Sequence, residues 1–312
     1  MSKIEKALSR AKRESGLALV PAATKNAHVT ADAAAPGREL IRSGAEMAIA
    51  SHAAAQSIAR MRDLTARSSD ELAEQHIISP DIGESSTVQA FRELRTRILQ
   101  HTKGQNGIIL VTSVKGDSGN SFVATNLGVA FAFDAGRTAL LVDCNLRDPS
   151  LQRLLGDEDR PGITDYLENP DMDVADIIHP VGIERLRVMP TGRKRDIPTE
   201  YFTTQRARQL MERIRNRYAE RFVIIDAPPM TESADTQILA ELCDYILLVV
   251  PYGLVTNMQI DNCVKALDSR KFIGVVFNND PHVPQLDWRL LLRQARTRLQ
   301  DTLKRARGRF FR

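Results

Sequence analysis

Aromatic residues make up only 5% of this 312-residue chain, and there is a single Trp. A nucleic-acid reader built on stacked aromatic side chains is therefore disfavoured. Cysteine is equally scarce. Cys144, Cys243 and Cys263 are odd in number and no two have a metal or redox spacing, which reads as reduced thiols in a cytosolic protein rather than a disulfide framework. No apolar run reaches the roughly 18–20 residues that a membrane-spanning helix needs; the longest, Tyr245–Val250, stops at Pro251. The opening stretch MSKIEKALSRAKRESG has no apolar signal core. The expectation is a protein neither secreted nor integral to a membrane.

Charge is modest in sum and lopsided in place. The net charge is +4, yet from Val283 to Arg312 nine Lys and Arg face only Asp287 and Asp301. That tail carries +7 and the rest of the chain −3. Hydrophobic residues at 43% and charged residues at 26% are ordinary for a globular protein.

The pattern divides the chain into three regions. Residues 1–83 read as a helical, partly disordered N-terminal region. Residues 2–15 have Ile4, Leu8 and Ala11 on one helical face, 16–37 are an Ala-rich linker with Pro21 and Pro36, and 38–75 are compatible with helix. Residues 84–282 alternate short apolar runs with helical stretches. The predicted strands are Ile108–Thr112, Ala139–Asp143, Leu186–Met189, Phe222–Asp226, Tyr245–Val250 and Phe272–Phe277. Helices are predicted at Thr87–Gln100 and near 120–135, 203–219, 234–242 and 256–268. Near-continuous β-branched runs separated by helices predict an α/β fold with a mainly parallel sheet covered on both faces. Such sheets bind ligands at the carboxyl ends of their strands. Residues 283–312 form a basic tail in which Leu291, Leu292, Ala295, Leu299 and Leu303 make an apolar helical stripe. That tail suits an anionic membrane surface or an acidic partner, or else packs as a solvated basic helix on the protein's own domain; nucleic-acid binding is disfavoured because no reading motif accompanies the charge.

The chemistry-bearing residues follow the strands. After the first comes Ser113-Val-Lys-Gly-Asp-Ser-Gly-Asn-Ser-Phe122, leading into a helix. A strand, a glycine-bearing loop and a helix N-terminus make an anion cradle from backbone N–H groups and the helix dipole, with Ser121 offering a hydroxyl to Mg²⁺. Against the spacing G-x-x-x-x-G-K-[ST], Gly119 and Ser121 fit. The first Gly falls at Val114 and the Lys at Asn120, so by itself the loop also reads as an ordinary strand-to-helix turn. Asp143 ends the second strand and Asp226 the fourth. A carboxylate at the end of a buried strand needs a partner. Beside a phosphate loop that partner is Mg²⁺ or its water shell; elsewhere it is the following turn.

Taken together, these segments resemble a known class. The loop is similar to the deviant Walker A loop, KGGxGK[ST], of the MinD/ParA class of ATPases. Val-Asp143-Cys-Asn145-Leu-Arg147-Asp-Pro149 and Asp226-Ala-Pro228-Pro229 resemble the Walker A′ and Walker B motifs of bacterial tyrosine kinases (BY-kinases) of the capsule and exopolysaccharide family. Gly162–Leu167, Ile178–Gly182, Met189–Gly192 and Gly274–Asn278 resemble further segments of that family, over about two-thirds of the chain.

The resemblance implies a P-loop NTPase fold that binds ATP or ADP with Mg²⁺. Its nucleotide-binding residues would be Lys115, Gly116, Asp117, Ser118, Gly119, Asn120, Ser121, Phe122, Arg147 and Asn278, the last on the adenine edge. Ser121, Asp143 and Asp226 would hold the metal, and Lys115, Asp143 and Asp226 would be catalytic. Lys115 matches the class's signature lysine, whereas Asn120 replaces the lysine that grips the β- and γ-phosphates. Losing that contact, worth about 1.5–3 kcal/mol, weakens binding roughly 10- to 150-fold, and transition-state stabilisation suffers more. Asn145 replaces an Asp implicated in catalysis. Gln89, Arg92 and Arg95 resemble an E-x-x-R-x-x-R oligomerisation helix, with Gln89 in place of Glu. No tyrosine follows Tyr252, where active members carry a tyrosine cluster.

The implied protein is a cytoplasmic, nucleotide-binding regulator with impaired catalysis, peripheral to the inner face of the cell membrane. Its partner would be a membrane polysaccharide co-polymerase or chain-length regulator, with self-association open. The competing expectations are an active tyrosine autokinase and a MinD/ParA-like ATPase positioning cargo on membrane or DNA.

Overall fold

The structure is a computed structural model and describes residues 66–79, 85–156, 160–193, 201–217 and 220–279. The expected N-terminal helix at 2–15, the linker at 16–37, most of 38–75 and the basic tail 283–312 lie outside the described residues.

In chain order the elements are helices α1 (Ser69–Glu74) and α2 (Ser86–His101), strand β1 (Ile108–Ser113), α3 (Asn120–Ala132), β2 (Thr138–Asp143), α4 (Ile163–Glu168), β3 (His179–Pro180), β4 (Leu186–Met189), α5 (Gln205–Asn216), β5 (Arg221–Asp226), α6 (Asp235–Leu242), β6 (Tyr245–Pro251), α7 (Asn257–Ala266) and β7 (Phe272–Asn278). The seven strands lie in the order β3-β4-β2-β5-β1-β6-β7. Every pairing is parallel except β3 with β4. All six expected strands are present. The two-residue antiparallel edge strand was not foreseen, since so short a run leaves no periodic signal.

Strand pleating explains the two cores. Ile109, Val111, Leu141, Ile224 and Val249 face one layer with α2 and α3. Their neighbours Ile108, Leu110, Leu140, Ile225 and Val250 face the other, with α5 and α6. Helix α3 is apolar on nearly every side and buried along almost its whole length, as befits a central helix rather than a surface one. Phe131 from α3 stacks on Phe222 of β5, with centroids 4.2 Å apart. By contrast α5 buries Ala207, Leu210, Met211 and Ile214 along one stripe and exposes Arg208 and Arg213 on the other side.

Packing also enrols residues 66–79, which the sequence grouped with the N-terminal region. Leu72, Ile77 and Ile78 enter the same core as α2 and α3. Asn126, buried in α3, clamps this segment: its Oδ1 accepts from Ile78 N–H (2.8 Å) and its Nδ2 donates to the His76 carbonyl (3.1 Å). Arg67 donates to the Leu154 carbonyl at 2.6 Å. A polar residue inside a buried helix thus fastens a segment that has little amphipathic pattern of its own. Among the described residues no helix is long and apolar enough to cross a membrane.

Candidate functional site

The sheet places three strand ends side by side. β5 lies between β2 and β1, and Asp143 and Asp226 are direct register partners across the β2–β5 pair. Beyond β1, the chain turns through Val114–Gly119 into α3. The turn is held from several directions. Ser113 Oγ and Ser118 Oγ both donate to the Lys115 carbonyl, at 2.9 and 2.6 Å. Asn278 at the end of β7 donates its Nδ2 to the Ser118 carbonyl at 3.0 Å. Asp117 (φ 56°) and Gly119 (φ 82°) adopt left-handed backbone conformations. At Gly119 this demands glycine, because a Cβ there would sit 2.1 Å from the Asn278 amide nitrogen. No side chain caps the N-terminus of α3, so its first N–H groups are available to an anion.

Asn120 does not point into that cradle. Its side chain is 8% exposed and turns back toward the strands. Nδ2 donates to Asp226 Oδ1 and to the Ala227 carbonyl, both at 2.9 Å, and Oδ1 lies 3.4 Å from Ser113 Oγ. Both amide protons are used within the protein. Where the resembled class has a mobile ammonium, this chain has a neutral bracket tying the start of α3 to the end of β5.

The two aspartates are fully buried. Asp143 Oδ2 accepts from the N–H groups of Ser150 (2.9 Å) and Leu151 (2.8 Å), and Oδ1 from Asn145 N–H (3.1 Å). Ser150 also donates its hydroxyl to Asp226 Oδ2 at 3.1 Å, so one residue holds both carboxyl groups. Burial, and then the neighbouring Asp226 charge, pushes Asp143 up to about 8 against the hydrogen bonds it accepts. Burial raises Asp226 to about 6, with hydrogen bonds from Ser121, Ser150 and Asn120 pulling it back. Desolvation disfavours the charged form of each, and the pair compounds it. Two neighbouring carboxyl groups with the hydroxyls of Ser121 and Ser150 form an all-oxygen donor set of the kind Mg²⁺ prefers. A divalent cation there would relieve the unfavourable negative charge, so these residues fit the metal that the fold implies.

The structure therefore brings together Lys115–Ser121, Asp143, Asp226 and Asn278. Other candidates lie differently. The Phe122 ring packs edge-to-face on Phe91 of α2 at 5.7 Å, leaving its backbone N–H for a cradle. Arg147 is exposed on the turn after β2, and the Asn145 side chain caps that turn by accepting from Asp148 N–H at 3.3 Å. Gln89, Arg92 and Arg95 sit on α2, where Arg95 Nη1 donates to the Ala130 carbonyl of α3 at 2.8 Å. Two site residues escaped the sequence reading: Ser150, and Glu232, whose carboxylate accepts from Gly116 N–H at 2.6 Å. No motif marks either, because Ser150 meets Asp226 and Glu232 meets the loop only through the fold.

A family model described as "ParA: NUBPL iron-transfer P-loop NTPase" matches residues 105–278. Among the described residues, no group of three or more His, Cys, Asp or Glu side chains forms a metal-holding cluster. The putative tyrosine-protein kinase EpsB of Ralstonia solanacearum is 28% identical over 207 residues, covering 65% of this chain and 27% of that protein. The chain thus spans only about a quarter of that relative's length. The tyrosine-protein kinase CpsD of Streptococcus agalactiae serotype III (strain NEM316) is 29% identical over 195 residues, 62% of this chain and 82% of that protein. Among solved structures, the kinase domain of Escherichia coli tyrosine kinase ETK superposes with a TM-score of 0.60 at 25% identity, covering 70% of this chain and 82% of that one. The BceF tyrosine kinase domain does so with a TM-score of 0.56 at 25% identity, covering 69% and 90%.

Proposed function

Since the chain belongs to the ParA family of P-loop NTPases and has bacterial tyrosine kinases as homologues, we propose that it is a nucleotide-binding regulator in bacterial exopolysaccharide or capsule synthesis, with impaired phosphoryl transfer. One observation carries the reading. Asn120 spends its amide on Asp226 and the Ala227 carbonyl, so it supplies no positive charge to a polyphosphate. Phosphoryl transfer depends on charge stabilisation in the transition state more than ground-state binding does. The open N–H groups at the start of α3 still favour an anion.

Within this reading the backbone of Gly116–Ser121 binds the phosphates, and Lys115 offers the remaining cation from the loop. Ser121 and Asp226, with Asp143 beside them, would hold Mg²⁺, which when bound neutralises phosphate charge. Asn145, capping its own turn, has no carboxylate to accept a proton from a tyrosine hydroxyl. A membrane polysaccharide co-polymerase is the proposed partner and the inner face of the membrane the proposed place of work, by kinship with the capsule and exopolysaccharide kinases. The test is calorimetric titration with ATP and ADP in Mg²⁺, beside incubation with labelled ATP and a phosphotyrosine probe. Nucleotide binding without autophosphorylation is expected. Robust autophosphorylation would instead make the protein an active kinase working through Lys115, and absence of binding would make it a scaffold.

A further inference from the structure

We propose that Glu232 makes this loop selective for nucleoside diphosphates, by occupying the Gly116 amide that a third phosphate would need. The inference rests on the nucleotide-binding reading above and adds the ligand class. Glu232 Oε1 accepts from Gly116 N–H at 2.6 Å. A Cβ built on Gly116 would lie 2.9 Å from Oε1 and 3.3 Å from Oε2, so the whole carboxylate lies against the loop. A carboxylate oxygen offers this N–H the same negative acceptor that a phosphate oxygen would.

The backbone that carries the carboxylate is held beside the loop. After β5 the chain is stitched along β1 and its loop. Ala227 N–H donates to the Val111 carbonyl (3.1 Å), Met230 N–H to the Ser113 carbonyl (2.8 Å) and Thr231 Oγ1 to the Val114 carbonyl (2.7 Å). Glu232 N–H then closes a turn onto the Pro229 carbonyl at 3.1 Å. The side chain is thereby delivered to the near end of the loop.

The loop is consequently divided. Its helix end, Gly119–Ser121, has no side-chain cap and combines free N–H groups with the helix dipole, enough for the inner phosphates. Its near end, at Gly116 beside the β5 turn, is filled. A third phosphate extending toward that end meets the exposed carboxylates of Glu232 and Asp117, with Lys115 as the loop's cation and no second ammonium from Asn120, whose amide is turned to Asp226. Two carboxylates against one ammonium leave that end net negative, so the added phosphate charge is disfavoured there.

The test is calorimetric titration of the full chain with ADP and with ATP in Mg²⁺, comparing wild type with Glu232→Gln and Glu232→Ala. Gln keeps the shape and removes the charge; Ala removes the contact. Because Glu232 is exposed, both variants are expected to fold, and thermal melting checks this. Wild type is expected to bind ADP more tightly than ATP. Both variants gain affinity for ATP by about tenfold, the size of one lost charged competitor, with little change for ADP. Wild type preferring ATP, or variants that gain nothing for ATP or gain equally for both nucleotides, would overturn the selectivity while leaving nucleotide binding intact. Failure of all three proteins to bind either nucleotide would sink the binding reading itself and this inference with it.

Discussion

Replacing Asn120 with lysine restores the charge that this loop lacks, and the structure sets the size of the effect. The substitution removes two donor bonds at 2.9 Å, one to Asp226 Oδ1 and one to the Ala227 carbonyl. The neutral bond is worth about 1 kcal/mol and the bond to a carboxyl group about 1.5–3 kcal/mol. In exchange an ammonium enters beside a carboxyl group that burial has pushed up to about 6. Each unit by which it brings Asp226 back toward the ordinary carboxylate range returns about 1.4 kcal/mol, so the folded state changes little. Nucleotide binding changes more. When phosphates arrive, the ammonium can leave Asp226 for them, adding a charge-assisted contact worth roughly 10- to 150-fold in affinity. The assay is calorimetry with Mg-ATP and Mg-ADP on folded Asn120→Lys, paired with turnover of labelled ATP. A folded variant with wild-type affinity would refute the argument that the missing ammonium weakens this site. Regained turnover would confine the catalytic deficit to the loop.

Three further outcomes follow from the same geometry. Asp143 and Asp226 have folded-state values raised to about 8 and about 6, so the folded protein holds protons that the unfolded chain has already lost; without Mg²⁺, the melting temperature should fall as pH rises from about 4 to about 8, and a flat profile over that window would contradict the buried pair. Asn126→Ala removes the clamp on residues 76–78 and leaves a buried N–H unpaired, a loss of about 1–3 kcal/mol in denaturant unfolding, with faster hydrogen exchange across residues 66–79. Gly119→Ala forces a Cβ into a left-handed position and onto Asn278, so nucleotide affinity should drop severely, read by the same calorimetry, while Gly136→Ala, whose added Cβ meets only Asp134 at 3.7 Å, leaves it unchanged.

The sequence by itself determined the scaffold. Apolar runs such as Ile-Ile-Leu-Val in β1 and Phe-Val-Ile-Ile in β5 declare strands buried on both faces, because only such a place removes every side chain from water. The strand-to-helix turn at 113–121 and an Asp at the end of β2 and of β5 pointed to the carboxyl edge of the sheet as the candidate site, since parallel sheets open there. The substitution at Asn120 was visible there too, but its consequence was not. Only the tertiary structure decided that its amide locks onto Asp226, 106 positions away, that Ser150 spans both aspartates, that Glu232 reaches Gly116 across 116 positions, and that Ile77 and Ile78 join the core. The physical reason is range. Periodicity records which side of an element faces water, a property of a few neighbouring residues. A hydrogen bond between two turns depends on how the sheet arranges strands that are remote in the chain.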